Sequence, residues 1–249
     1  MIIALANRAG QVGKSTLAAF LHSMADSEHD LIAVETQSPG IKQWGLPHES
    51  IAPDDVDKLY TSMLMTDKAI IDIGSHDFRA MMDNASGYSG LVETVDRWVL
   101  PTLPDARFRQ NDVIETLQFL LEAGAPMASM RVVVNKVQPA ALSRAEADME
   151  LLRGKFPGLQ VGMIFAHALL QEAPHRVGET LKNYATQTKE EMQRLAAEMR
   201  SLEDGPKKEA LRKQLLKQAS GHVKAASANV LADEGSGFWQ FVTANGSVK

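Results

Sequence analysis

The sequence predicts an α/β fold, a doubly wound and mostly parallel sheet flanked by helices, followed by a C-terminal helical appendage. Three observations predict it. Short apolar runs alternate with longer helical patterns through residues 1–173, a glycine-rich turn follows the first run directly, and the composition shifts near Pro174. Continuous apolar runs without clean alternation suit strands covered on both faces. Helices between successive runs imply a parallel sheet with right-handed crossovers.

The first strand is Met1–Ala6 (MIIALA), and the helix after it, Ser15–Met24, carries Leu17, Phe20, Leu21 and Met24 on one face. Further strands are expected at Leu31–Val34, Ala69–Ile73, Trp98–Leu100, Val132–Val134 and Val161–Phe165. The patterns between them predict helices at Asp54–Met65, Asp77–Tyr88, Asp105–Ala123 and Ser143–Lys155. The stripe Val113, Leu117, Leu120, Leu121 is clear, and Gly124 and Pro126 end it.

Beyond Pro174 the character changes. Residues 1–173 hold 14 Lys+Arg against 22 Asp+Glu, whereas 174–249 hold 12 against 9. An apolar stripe through Leu181, Tyr184, Met192, Leu195, Met199 and Leu202 predicts a helix over 178–202, which Gly205-Pro206 breaks. A second helix over 207–226 carries Lys207, Lys208, Arg212, Lys213, Lys217 and Lys224 against only Glu209. Together they read as a helical hairpin. The basic stretch 207–224 is either a solvated face or a weak, nonspecific attraction to DNA phosphates or an anionic membrane. Phe238, Trp239 and Phe241 read as a docking anchor, because Gly235 to Gly237 interrupts the continuous amphipathic helix that a membrane wedge needs.

Composition excludes several classes. The chain has 249 residues, 45% of them apolar, a net charge of −5 and no cysteine. That rules out wholesale disorder, a disulfide scaffold, thiolate metal sites and a cysteine nucleophile. No apolar run approaches the roughly 18–20 residues of a membrane span. The first run stops at Asn7 and Arg8 without a charged leader or cleavage region, so it does not read as a signal peptide. A soluble protein of a reducing cytoplasm is expected. No internal repeat is visible.

In a doubly wound fold, ligands bind at the carboxyl ends of the strands, which directs attention to NRAGQVGKST, Asn7–Thr16. Gly10 and Gly13 permit positive φ and close backbone approach, so N–H groups can turn inward around phosphate oxygens. Lys14 supplies a point charge for the β- and γ-phosphates, and the Ser15 hydroxyl is placed to ligate Mg²⁺. The helix that begins there aims its positive end at the same anion. Lys14 is expected to be a surface loop residue before ligand arrives. Arg8 stands where the usual phosphate-loop pattern has its first glycine. In AIIDIGS, Asp72 follows three apolar residues and can hold Mg²⁺ through its water shell, and Gly74 lets the chain pass near the γ-phosphate. His76 and Asp77 read as solvated loop.

These residues carry a resemblance. NRAGQVGKST resembles the deviant phosphate loop of the ParA/MinD family of P-loop ATPases, usually NQKGGVGKTT. Asn7, Gly10, Val12, Gly13, Lys14 and Thr16 match, and Ser15 is a usual variant. Ala9 stands in place of the signature lysine that reaches the partner's phosphates in a nucleotide-sandwich dimer, with Arg8 the nearest substitute. Gln11 replaces a glycine. The resemblance implies that the backbone from Arg8 to Thr16 wraps ATP. In LIAVETQSPG it aligns Glu35 and Gln37 with the two Asp residues of a DxD element, the second of which orients attacking water. In RVVVNKV it places Asn135 as the adenine-contacting residue. Over about residues 1–165 the order of motifs is similar to plasmid-stability and conjugation proteins of the StbB/TraL type. That implies a nucleotide-dependent homodimer and a plasmid-encoded DNA-binding partner.

Two functional classes follow. One is a switch in plasmid stability, partition or conjugation that binds ATP with Mg²⁺, dimerises and resets by weak hydrolysis. The other is a non-hydrolysing adaptor that keeps the fold and acts through protein contacts. Ala9 and Gln37 favour the second; Gly13, Lys14, Ser15 and Asp72 favour the first. A metabolic kinase on the same fold is disfavoured, since no substrate-binding insertion or Arg-rich lid stands out.

Overall fold

A computed structural model describes residues 1–25, 28–36, 40–85, 90–104, 107–166, 179–202, 205–216 and 237–244. Seven strands form one sheet: β1 (Ile2–Leu5), β2 (Asp30–Val34), β3 (Glu49–Ile51), β4 (Ala69–Ile73), β5 (Arg97–Thr102), β6 (Met130–Val137) and β7 (Gln160–Phe165). Their order is β3-β2-β4-β1-β5-β6-β7, and every pairing is parallel. The helices are α1 (Lys14–Met24), α2 (Val56–Met65), α3 (Asp77–Ala85), α4 (Leu91–Thr94), α5 (Arg107–Glu122), α6 (Leu142–Lys155) and α7 (Glu179–Arg200). Further helical stretches occupy 206–216 and 237–243. No helix among the described residues is long and apolar enough to cross a membrane.

The doubly wound expectation holds, and six of the seven strands lie where the apolar runs predict them. The seventh, β3, escapes the pattern because only Ile51 of its three residues is buried. Short α4 is likewise unannounced. The basic stretch 217–224 and the domain boundary at Pro174 lie outside the described residues, as does Gln37.

Two cores sandwich the sheet. Alternation along β1 sends Ile2 and Ala4 to one face, where they join Leu59, Phe78, Val113 and Leu152 from the helices α2, α3, α5 and α6. Ile3 and Leu5 point to the other face, toward Leu17, Phe20 and Leu21 of α1. There α1 is joined by the tail helix 237–243, whose Phe238 and Val242 belong to the same cluster as Val99, Val133 and Ile164 of β5–β7. Phe238 stacks on Phe20 with centroids 6.0 Å apart. Phe241 packs so closely on Gly162 that a Cβ there would lie 3.1 Å from its ring. The aromatic anchor read in the tail therefore docks on the body as a missing piece of its helical layer. Residues 237–244, which the expected split places in the 174–249 unit, pack on the body.

Candidate functional site

The turn after β1 wraps the carboxyl end of the sheet beside β4, because Leu5 is in register with Asp72. Asn7 anchors it from within. Its Nδ2 donates to the Pro101 carbonyl at 2.6 Å, and its Oδ1 accepts the Ala9 N–H at 2.8 Å. Gln11 and Gly13 take left-handed φ values of 60° and 92°. At Gly13 glycine is compulsory, since a Cβ would lie 2.4 Å from Asn135 Nδ2. No acceptor among the described residues takes the backbone N–H groups of Gly10, Gln11, Val12 and Gly13. With the first turn of α1 they form a row of donors suited to an anion.

Lys14 corrects the expectation of a surface residue: it is only 7% exposed. Its Nζ donates to the carbonyls of Asn7 at 3.1 Å and Ala9 at 3.0 Å, so the loop folds back over its own lysine. Burial pushes the ammonium pKa down from 10.5 to about 8, against the opposing pull of the Asp72 charge. Asp72, 2% exposed, moves the other way. Burial raises its pKa from 3.8 to about 6, offset in part by a hydrogen bond with the Ser15 hydroxyl and by Lys14. Asp72 Oδ1 has no hydrogen-bond partner among the described residues. A buried carboxylate oxygen without a partner is unfavourable, and a cation shared with Ser15 would relieve it. The donor set, a hydroxyl and a carboxylate, has the hard-oxygen chemistry that Mg²⁺ takes.

Glu35 follows β2 and lies against the same end, 8% exposed, its Oε1 also without a partner among the described residues. Burial, then the nearby Asp72, raises its pKa. Its carboxylate fills the space beside Gly40, where a Cβ would lie 2.1 Å from Oε2. The structure thus gathers Lys14, Ser15, Glu35 and Asp72 at one place.

Asn135 is 1% exposed and lies under the loop. Its Nδ2 donates to the Val12 carbonyl at 2.8 Å, and its Oδ1 accepts the Lys136 N–H at 2.9 Å. Both amide ends are engaged with backbone, so in this structure Asn135 braces the loop. Ala9 turns its methyl group inward and offers no cation. Arg8, its neighbour, pairs through Nη1 with Glu115 on α5, and its N–H donates to Thr116 Oγ1 at 3.3 Å. A cavity of about 140 Å³ opens beside it, lined by Arg8, Phe78, Arg79 and Phe119.

Sequence reasoning missed Asp77, read above as solvated loop. It is 6% exposed and binds Thr36 through both carboxylate oxygens. Its position as the first residue of a helix, three residues after a glycine, was the available signal. The anchoring role of Asn7 had none, because it depends on a contact with β5.

No protein-family model matches the chain, and no curated protein matches it. Among solved structures it is similar to the MinD cell division protein of Aquifex aeolicus, at 14% identity over 72% of this chain and 88% of that one, with a TM-score of 0.48. It is also similar to apo McdA of Cyanothece, at 13% identity over 71% and 90% of the two chains, with a TM-score of 0.48. A plasmid partition protein of Borrelia burgdorferi B31 bound to AMPPNP matches at 15% identity over 69% and 87%, with a TM-score of 0.47. Likeness of this degree speaks for no single residue of the site.

Proposed function

We propose that the chain is a ParA/MinD-like ATP-binding protein that works as a nucleotide-dependent switch, in the StbB/TraL manner, in plasmid stability, partition or conjugative transfer. One observation carries the reading: a buried Lys14, the Ser15 hydroxyl and the unpartnered carboxylate of Asp72 meet at the carboxyl end of the sheet, under a row of backbone donors. The loop from Arg8 to Thr16 wraps the phosphates, and Lys14 exchanges its carbonyl partners for phosphate oxygens. Ser15 and Asp72 would hold Mg²⁺, which would supply charge neutralisation for the phosphates. Glu35, with Gln37, positions water, and Asn135 keeps the loop in shape beside the base. The dimer and a plasmid-encoded DNA-binding partner belong to the same proposal, as does weak DNA contact through 207–224.

The adaptor reading keeps its own support. With Ala9 lacking a cation and Arg8 tied to Glu115, the charge that would reach a partner's phosphates is missing or engaged elsewhere. Turnover is therefore slow in this proposal, well under the roughly 1–100 s⁻¹ of kinases.

Titration calorimetry with ATP and Mg²⁺ tests the site. Lys14→Ala is expected to abolish binding while the variant stays folded, and unchanged affinity would remove the assignment. Elution volume with and without ATP–Mg²⁺, measured beside phosphate release, separates the classes. Nucleotide-driven dimerisation with slow release supports the switch, and nucleotide binding with neither supports the adaptor.

A further inference from the structure

We infer that Asp77 is a positioning residue: it ties the loop after β2 to the turn after β4 and so fixes Glu35 beside Asp72. The inference rests on the nucleotide site proposed above.

The ladder between β2 and β4 brings Ala33 opposite Asp72 and Val34 opposite Ile73. It runs one step further, since the Gly74 N–H donates to the Val34 carbonyl at 2.9 Å. There the two main chains part. Asp77 bridges the gap: its Oδ2 accepts the Thr36 N–H at 3.1 Å and its Oδ1 accepts the Thr36 hydroxyl at 2.6 Å. The carboxylate thus prolongs the ladder in place of a backbone carbonyl.

Gly74 makes this possible. A Cβ at that position would lie 2.4 Å from Asp77 Oδ2 and 3.4 Å from Glu35 Cβ. The glycine expected to let the chain pass near a phosphate is also required by the side chains packed over it. Glu35 lies between the two ties, Val34–Gly74 on one side and Thr36–Asp77 on the other. A buried carboxylate oxygen without a partner gains by turning to water, and Glu35 Oε1 is such an oxygen. It stays inward because the residues before and after it are both held. Cutting one tie frees the loop without touching Lys14, Ser15 or Asp72.

Thr36→Val removes the hydroxyl bond and leaves α3 and the charge of Asp77 intact, while Thr36→Ser keeps the bond. Two measurements on the full chain decide the matter. The first is amide hydrogen exchange of the nucleotide-free protein. Thr36→Val is expected to speed exchange at Glu35, Thr36 and Gly74 by up to about tenfold, the scale of one net hydrogen bond, with α3 unchanged and Thr36→Ser like the parent. The second is AMPPNP affinity in Mg²⁺ and in EDTA. Thr36→Val should lose up to about tenfold of the affinity gained from Mg²⁺, keep its EDTA affinity, and be matched to the parent by Thr36→Ser. Unchanged exchange in Thr36→Val would overturn the tie. Equal losses in Mg²⁺ and EDTA, or failure of Thr36→Ser to restore, would make Asp77 merely structural. Should the parent bind no AMPPNP, the nucleotide reading falls, and the exchange result still decides the tie.

Discussion

The two rims of the sheet are built on opposite terms. At the carboxyl rim Lys14, Glu35 and Asp72 are buried with shifted pKa values, and two carboxylate oxygens lack partners. At the amino rim, charge is satisfied. Arg131, 1% exposed, donates to the carbonyls of Ala128, Met130, Phe241 and Ala244 at 2.8–3.1 Å. Arg97 donates to those of Val242, Thr243 and Ala244. Two guanidinium groups thus receive the carboxyl end of the tail helix, where its dipole and free carbonyls favour cations. Unpartnered carboxylate oxygens thus mark the carboxyl rim, and fully engaged guanidinium groups mark the amino rim that holds the tail to the body.

The largest effect should come from breaking the satisfied rim. Arg131→Ala leaves the Phe241 and Ala244 carbonyls without that donor and loosens Phe238 and Val242 from the core. A loss of about 3–5 kcal/mol in urea unfolding is expected, with nucleotide affinity unchanged where the variant is folded. Arg131→Lys should recover only part, because an ammonium cannot reproduce the planar fork. A marginal loss for Arg131→Ala would erase the contrast between the rims.

At the other rim the sign reverses. The Asp72 carboxyl titrates near 6 in the folded chain against 3.8 when free. Between those values the folded state holds the extra proton, so stability falls as pH rises through this window and the penalty persists above it. Asp72→Asn should therefore stabilise the nucleotide-free protein at pH 7, by roughly 2–3 kcal/mol, while abolishing the Mg²⁺ dependence of ATP binding. Lys14 adds a second window. Its pKa near 8 against 10.5 means that the unfolded chain holds the extra proton between them, so stability rises with pH there. Thermal unfolding across pH 4–10 of the parent, Asp72→Asn and Lys14→Met reads both slopes. A destabilised Asp72→Asn would show that the carboxylate supports the fold.

Why the sequence exposed one rim more than the other follows from the range of the contacts. The loop Asn7–Thr16 is local: glycines, lysine and serine sit within ten residues, so chemistry and spacing are legible together. Asp72 is legible because three apolar residues precede a carboxylate at a strand end. The burial of Lys14 was not, since its partners are carbonyls of the loop itself, whose path no residue pattern encodes. Asn135 could be located but its bonds could not, because they depend on β6 running beneath Val12. The tail's aromatics announced an anchor. Its receptor, Arg97 and Arg131, is more than a hundred residues away in sequence, and an isolated arginine at a strand start carries no signal of a helix that will come to meet it.

The smallest predicted effect tests whether the amino rim is wholly at ease. His29 meets Trp239 of the tail edge-on, with centroids 5.4 Å apart, and neither ring nitrogen has a partner among the described residues. Burial lowers its pKa, assisted by the chain's amino terminus, Lys68 and His22, with Glu28 opposing. A histidine with a depressed folded-state pKa binds its proton more readily when unfolded, so stability should decline as pH falls through about 6.5. His29→Phe keeps the edge contact and removes the titration. It should flatten the acid limb of the stability profile between about pH 5 and 7 and hold the Trp239 indole resonance constant across it. Part of the slope should remain, because buried His22 has a lowered pKa too. If His29→Phe leaves the acid limb as steep as in the parent, the tail is not the acid-sensitive seam. The rim that holds the chain together would then be insensitive to pH where it meets His29, which would sharpen its contrast with the carboxyl rim.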